Sequence, residues 1–285
     1  MGSHYPQLLP ARRLARSLLA THPTAHTYNS KFLIHNSKLK NVAVILAGGI
    51  GARVGGNTPK QLLPLQDGKS VLEHAVDAFE QSPHIDEICI VMHPDYIMHA
   101  EQMLLANAWQ KVRHIIPGGK ERWESSVNAI RAFTPYTLHP TPITNLLLHD
   151  AARPFVSQDI IARVCEALEE QEAVTVAIPS TDTVYEMADG KVARIPQRST
   201  IMRAQTPQAF RLELIAEAYA KAFPHLFTTQ LGGKEGGLSS PLLGGVGGGF
   251  PTDDCGIVHE HMPEIPIYIV EGEEQNKKIT FKEDI

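Results

Sequence analysis

Two cations, Arg53 and Lys60, close a glycine-rich run that begins Ala47-Gly48-Gly49-Ile50-Gly51-Ala52 and ends Pro59-Lys60-Gln61, directly after the apolar stretch Val42-Ala43-Val44-Ile45-Leu46. Glycines after a buried strand let the backbone turn tightly and bring N–H groups against phosphate oxygens, and the cations add charge where a triphosphate would lie. Spacing excludes two familiar phosphate loops. A dinucleotide fingerprint from Gly49 needs glycine where Val54 stands, and a P-loop from Gly51 reaches Gly56 but then meets Asn57 where lysine is required.

Two further clusters have chemistry-bearing spacing. Pro117-Gly118-Gly119-Lys120-Glu121-Arg122-Trp123-Glu124-Ser125-Ser126 runs from a strand into a helix. Its glycines permit close backbone approach, and its serines fit either a base and sugar site or a capped helix start. Leu148-His149-Asp150-Ala151-Ala152-Arg153-Pro154 ends a buried strand. A carboxylate there can orient a substrate hydroxyl or ligate magnesium, although an Asp150 to Arg153 pair is the plainer alternative. His149 reads as structural. The 14 histidines show no paired spacing for zinc.

These residues need elements to position them. From Val42 the chain alternates strands and helices: strands at 42–46, 87–92, 112–116, 146–149 and 174–178, helices at 71–81, 96–106, 122–133 and 158–170. The alternation predicts an α/β fold, a single Rossmann-like domain over residues 41–285 with a mostly parallel, doubly wound sheet and right-handed crossovers. Ligands of such sheets sit beyond the carboxyl ends of the strands, where the loops after Leu46, Ile116 and His149 gather. Residues 183–203, with Asp189-Gly190 at a turn, predict a protruding β-hairpin arm. Residues 228–249 are dense in glycine and read as an insertion.

Composition bounds the possible roles. The chain has 285 residues, 43% of them hydrophobic, which is ordinary for a soluble globular protein, and its formal net charge of -5 argues against a general nucleic-acid binder. Three scattered cysteines, Cys89, Cys165 and Cys255, fit a reducing, cytoplasmic compartment. No stretch is long and apolar enough to span a membrane. Residues 1–40 contain no Asp or Glu and carry Arg12, Arg13, Arg16, Lys31, Lys38 and Lys40, so they read as a disordered leader or a targeting-like segment.

Taken in order, the opening loop with Arg53 and Lys60, the Gly-Gly-x-Glu-Arg-x-x-Ser run, His-Asp-Ala-Ala-Arg-Pro, Gln205-Thr206-Pro207-Gln208 and Asn276-Lys277-Lys278-Ile279-Thr280 resemble the 2-C-methyl-D-erythritol 4-phosphate cytidylyltransferase family. The resemblance spans residues 41–285 apart from the glycine-rich insertion. It implies transfer of a cytidylyl group from CTP to a polyol phosphate with release of pyrophosphate, and a divalent cation, Mg2+, carried on the CTP phosphates with Asp150 as a possible ligand. Arg53 and Lys60 would be catalytic, stabilising charge on the triphosphate. Ala47, Gly48, Gly49, Gly119, Ser125 and Ala151 would bind the nucleotide, and Asp150, Arg198, Thr206 and Lys278 the polyol phosphate. Lys120 departs from the family pattern, which often has Asp there. The resemblance also implies a homodimer whose arms reach the neighbouring subunit, with Arg198 serving that partner's site. Ribitol 5-phosphate cytidylyltransferases are similar in the same motifs, so the acceptor stays open between methylerythritol phosphate, in non-mevalonate isoprenoid synthesis, and ribitol phosphate, for cell-surface polymers.

Overall fold

Strand Lys40–Ala47 (β1) shows how the sheet is built, because alternate side chains enter different cores. Ala43, Ile45 and Ala47 pack on one face, and Val42, Val44 and Leu46 on the other. A strand buried on both faces reads as an unbroken apolar run, as β1 does. The structure, a computed structural model, describes residues 40–49, 58–134, 144–227 and 252–284. Apart from Lys40, the proposed leader, together with Arg53 and the insertion at 228–249, lies outside the described residues.

The elements after β1 follow the expected alternation: helix Val71–Glu80 (α1), strand Glu87–Met92 (β2), helix Ile97–Asn107 (α2), strand Val112–Pro117 (β3), helix Arg122–Phe133 (α3), strand Thr144–Asp150 (β4), helix Gln158–Glu170 (α4) and strand Ala173–Pro179 (β5). Strands Glu186–Ala188 (β6) and Lys191–Arg194 (β7) come next, then strand Met202–Arg211 (β8), helices Leu212–Ala222 (α5), Pro224–Phe227 (α6) and Asp254–His261 (α7), and strand Tyr268–Glu271 (β9).

Seven strands form one sheet in the order β3-β2-β1-β4-β8-β5-β9. β1 is parallel to both β2 and β4, and β8 runs antiparallel to β4 and β5. Phe79 of α1, Met103 of α2 and Ile160 and Val164 of α4 fill one core. Val127 and Ile130 of α3, Ile215 and Tyr219 of α5, and Ile257 of α7 fill the other. The sheet is therefore doubly wound. Because the chain leaves β1 toward β2 but returns to β4 on the opposite side, the carboxyl ends of β1 and β4 form a topological switch point, where a crevice opens. Leu46 pairs with Asp150 there.

Two strands were not expected, β8 and the edge strand β9. β8 occupies the middle of the sheet, yet Ala204-Gln205-Thr206-Pro207-Gln208 has neither strand periodicity nor an N–H at Pro207. The ladder accommodates it by slipping: Thr175 pairs with Gln208, and the next residue, Val176, pairs with Gln205. The hairpin is where it was expected. β6 and β7 form a separate two-stranded sheet around Asp189-Gly190, whose positive φ values of 50° and 73° suit a tight hairpin turn. Among the described residues, no helix is long and apolar enough to cross a membrane.

Candidate active site

A cleft of about 320 Å³ opens over the carboxyl ends of β1 and β4. Ala47, Gly48 and Gly49 form one wall, Lys120, Arg122 and Ser125 another, and Lys60, Asp150, Ala151 and Lys278 complete it. The fold thus brings together eight of the expected site residues with Gly119 close beside them.

The floor depends on glycines. A Cβ on Gly118 would lie 2.8 Å from the Cα of Gly48, and one on Gly48 would lie 2.6 Å from Ser125 Oγ. Two loops from different strands therefore touch backbone to backbone. Gly119 N–H donates to Ser125 Oγ at 3.1 Å, tying the second loop to α3. The serines do not cap that helix; Glu121 is its N-cap residue, and Glu124 accepts from the Lys120 and Glu121 N–H groups. Ser125 is thereby left at the cleft wall.

Gln61 holds the first loop in shape. Its buried side chain donates to the carbonyls of Ala47 at 2.7 Å and Gly49 at 2.8 Å. Lys60, its neighbour in a short 3-10 turn, donates to the Ile279 carbonyl at 2.8 Å. The C-terminal segment is anchored by Ile279 N–H to the Ala152 carbonyl and by Asn276 Nδ2 to Gln205 Oε1 and the Thr206 carbonyl. That anchoring brings Lys278 beside Asp150 from far along the chain.

Asp150 is the electrostatic centre. Its Oδ1 accepts from Arg122 Nε at 3.0 Å and its Oδ2 from Lys278 Nζ at 2.6 Å. Burial alone would raise its pKa, but the Arg122 guanidinium and the Lys278 ammonium outweigh that and hold the carboxyl well below the usual carboxylate range. The plainer pairing with Arg153 does not form. Arg153 instead donates to the carbonyls of Asn276 and Ala204. With a cation on each oxygen, Asp150 does not fit a direct metal site, and no group of three His, Cys, Asp or Glu among the described residues could hold a metal ion.

Behind Asp150, the buried His149 Nε2 lies 2.9 Å from the Arg153 carbonyl, which can only accept. Burial pushes the imidazole pKa down to about 4, so the ring is neutral near pH 7, protonated on Nε2 and an acceptor at Nδ1. Thr206 Oγ1 donates to that Nδ1 at 3.0 Å and accepts from the Asp150 N–H at 3.1 Å. Thr206 therefore supports the end of β4 from behind. Arg198 is exposed, in a 3-10 turn that follows the hairpin, with Nη1 3.4 Å from the Thr181 carbonyl. Among the described residues, neither it nor Thr206 lines the cleft of its own chain.

Arg122 and Gln61 line the cleft but were not among the expected site residues. Both lie inside quoted motifs, but only the closure of β1, β4 and α3 shows what each touches.

The geometry agrees with the family comparisons. The model of the IspD family, 2-C-methyl-D-erythritol 4-phosphate cytidylyltransferase, matches residues 41–230. A Thermobifida fusca protein named 2-C-methyl-D-erythritol 4-phosphate cytidylyltransferase is 41% identical over 248 residues, which is 85% of this chain and 89% of that one. A Haemophilus influenzae bifunctional ribulose 5-phosphate reductase/CDP-ribitol pyrophosphorylase is 36% identical over 87% of this chain and 47% of its own length. The solved structure of 4-diphosphocytidyl-2C-methyl-D-erythritol synthase from Anaerococcus prevotii superposes with a TM-score of 0.66 at 27% identity, covering 86% of this chain and 92% of that one. With the family's motifs gathered around one cleft at the switch point of its sheet, the chain belongs to the 2-C-methyl-D-erythritol 4-phosphate cytidylyltransferase family.

Proposed function

We propose that this protein transfers the cytidylyl group of CTP to 2-C-methyl-D-erythritol 4-phosphate and releases pyrophosphate. The observation that carries this reading is the convergence, in one cleft, of the glycine-lined loop bearing Lys60 and the Asp150–Lys278 pair. An oxygen of the acceptor phosphate attacks the α-phosphorus of CTP, a new P–O bond forms, and the bond to the bridging oxygen breaks with its electron pair leaving on pyrophosphate. A phosphate nucleophile is already ionised near neutral pH, so positioning and charge neutralisation dominate the work of the protein.

In this reading Ala47, Gly48, Gly49, Gly119, Ser125 and Ala151 receive the nucleotide, while Arg53 and Lys60 balance charge on the triphosphate. Asp150 and Lys278 orient the acceptor, and Thr206 supports them from behind. Magnesium would be carried by the CTP phosphates and would neutralise their charge, while Asp150, with a cation on each oxygen, would not ligate it. Arg198 serves the cleft of a second copy, because it is exposed beyond a hairpin whose Tyr185, Met187, Val192 and Ile195 present apolar surface. The free cysteines suit a cytoplasmic enzyme.

The similarity to the Haemophilus protein makes ribitol 5-phosphate the second acceptor to test. Pyrophosphate release is measured with CTP, magnesium and each acceptor in parallel. Higher kcat/KM with methylerythritol phosphate is expected; higher kcat/KM with ribitol 5-phosphate overturns the acceptor, and release with neither overturns the reaction.

A further inference from the structure

Four charged side chains of alternating sign run from the core to the mouth of the cleft. Asp254, the first residue of α7, is fully buried, and its Oδ1 accepts from Tyr219 Oη at 2.6 Å. Burial and then the Asp254 charge push the Tyr219 hydroxyl up, so it remains the donor. Asp254 Oδ2 lies 2.8 Å from Arg122 Nη1, Arg122 Nε lies 3.0 Å from Asp150 Oδ1, and Asp150 Oδ2 lies 2.6 Å from Lys278 Nζ. Side-chain exposure is 0% at Asp254 and 42% at Lys278, so the series links an interior anchor to a cation at the surface of the cleft.

A guanidinium buried for stability alone has its donors satisfied by hydrogen bonds. Arg122 does not. Its Nη2 is buried with no hydrogen-bond partner among the described residues, and Asp254 Oδ2 lacks an aligned hydrogen bond despite the short charge contact. Its one aligned bond to a carboxylate goes to Asp150. The arrangement gives up hydrogen bonding at the Asp254 end while preserving it at the cleft end. α7 is also held in place independently, since Gln208 accepts from the Asp254 N–H and donates to Asp253.

We propose that Arg122 and Asp254 are positioning residues of the cytidylyl transfer: Asp254 holds Arg122, Arg122 fixes Asp150 at the end of β4, and Asp150 presents Lys278 to the acceptor phosphate. The inference rests on the reading of the cleft given above. Charged or titratable groups facing Asp150 are Arg122 from α3, Lys278 from the C-terminal segment, and His149 and Arg153 from β4 and the loop after it. Arg122 is the one that also meets Asp254.

The test uses the full chain with Arg122→Gln, Arg122→Lys and the double variant Arg122→Gln/Asp254→Asn, which does not leave Asp254 as a buried charge without its cation. Steady-state constants are measured for each substrate, with melting temperature. For Arg122→Gln, KM for the acceptor rises on the order of 10-fold to 100-fold while KM for CTP is nearly unchanged. The acid limb of kcat/KM moves to higher pH, because burial then raises the Asp150 pKa with one cation fewer to oppose it. Arg122→Lys recovers part of the loss. The double variant melts near the wild type and keeps the acceptor defect. Because α3 also carries Ser125, mere loosening of that helix raises KM for both substrates together, and that result overturns the proposal. Recovery of acceptor use in the double variant overturns it too, since the defect then came from the unpaired Asp254. Wild-type protein that releases no pyrophosphate overturns the underlying reading, and the assignment with it.

Discussion

His149 Nδ1 and Thr206 Oγ1 lie 3.0 Å apart, and the hydroxyl donates to the ring because the other ring nitrogen is committed to the Arg153 carbonyl. The bond joins the carboxyl end of β4 to β8 directly behind the Asp150 carboxylate. Thr206→Val removes both the donor to His149 and the acceptor for the Asp150 N–H. We expect a loss of about 1 to 3 kcal/mol in urea unfolding, with Thr206→Ser close to wild type. Equal stability of the valine and serine variants would remove the hydroxyl from this role.

The same imidazole sets a pH window. The folded chain protonates His149 only near pH 4, whereas the unfolded chain does so near pH 6.5. A lowered folded pKa gives stability that is complete above the unfolded value and lost as pH falls toward the folded one, here on the order of 3 kcal/mol between pH 6.5 and 4. Glu87 acts in a lower window. The hydrogen bond from His114 comes first in holding its pKa near 2, burial opposes it, and Lys40 adds to the lowering, so its contribution persists above pH 4.5 and fades toward pH 2. Urea midpoints followed from pH 8 to 4 should begin falling near pH 6.5, and His149→Gln should flatten that first decline.

Lys60 carries the catalytic expectation most directly. Lys60→Ala should lower kcat by on the order of 100-fold or more, as loss of a transition-state donor does, while the fold persists. Pyrophosphate release measured at saturating CTP and acceptor checks this, and near-normal turnover would exclude Lys60 from the charge-stabilising role.

Gly48 and Gly118 meet where no side chain fits. Gly118→Ala should push the first loop off its floor and weaken CTP binding by about 10-fold or more, with much less effect in Gly49→Ala, where an added Cβ meets nothing within 4 Å. Calorimetric titration with CTP distinguishes the two variants.

The exposed apolar hairpin should mediate dimerisation. Light scattering is expected to give twice the chain mass of 31.3 kDa, and Met187→Asp/Ile195→Asp should shift it toward the monomer. In that variant acceptor KM should rise, because Arg198 no longer reaches a second cleft. A monomeric wild type with full activity would overturn the arm's role.

The sequence by itself determined the alternation of strands and helices and the doubly wound class, because a strand covered on both faces carries a continuous apolar run, as at Val42–Ala47 of β1, Ile88–Met92 of β2 and Leu146–Leu148 of β4. It also marked the glycine loops, with Lys60 and Asp150 as candidates by residue type and Lys278 by family resemblance, and the fold brings all three to one cleft. Tertiary structure alone decided what those residues touch. Arg153 stands three residues after Asp150 in the chain, yet Asp150 pairs with Arg122 and Lys278, because strand closure and the anchored C-terminal segment bring distant cations nearer than the local one. β8 escaped the pattern because Thr206 and Pro207 leave the ladder. The position of Thr206 behind Asp150 follows from pairing with β4 and from the tautomer of a buried histidine, neither of which is written in the spacing of residues along one chain.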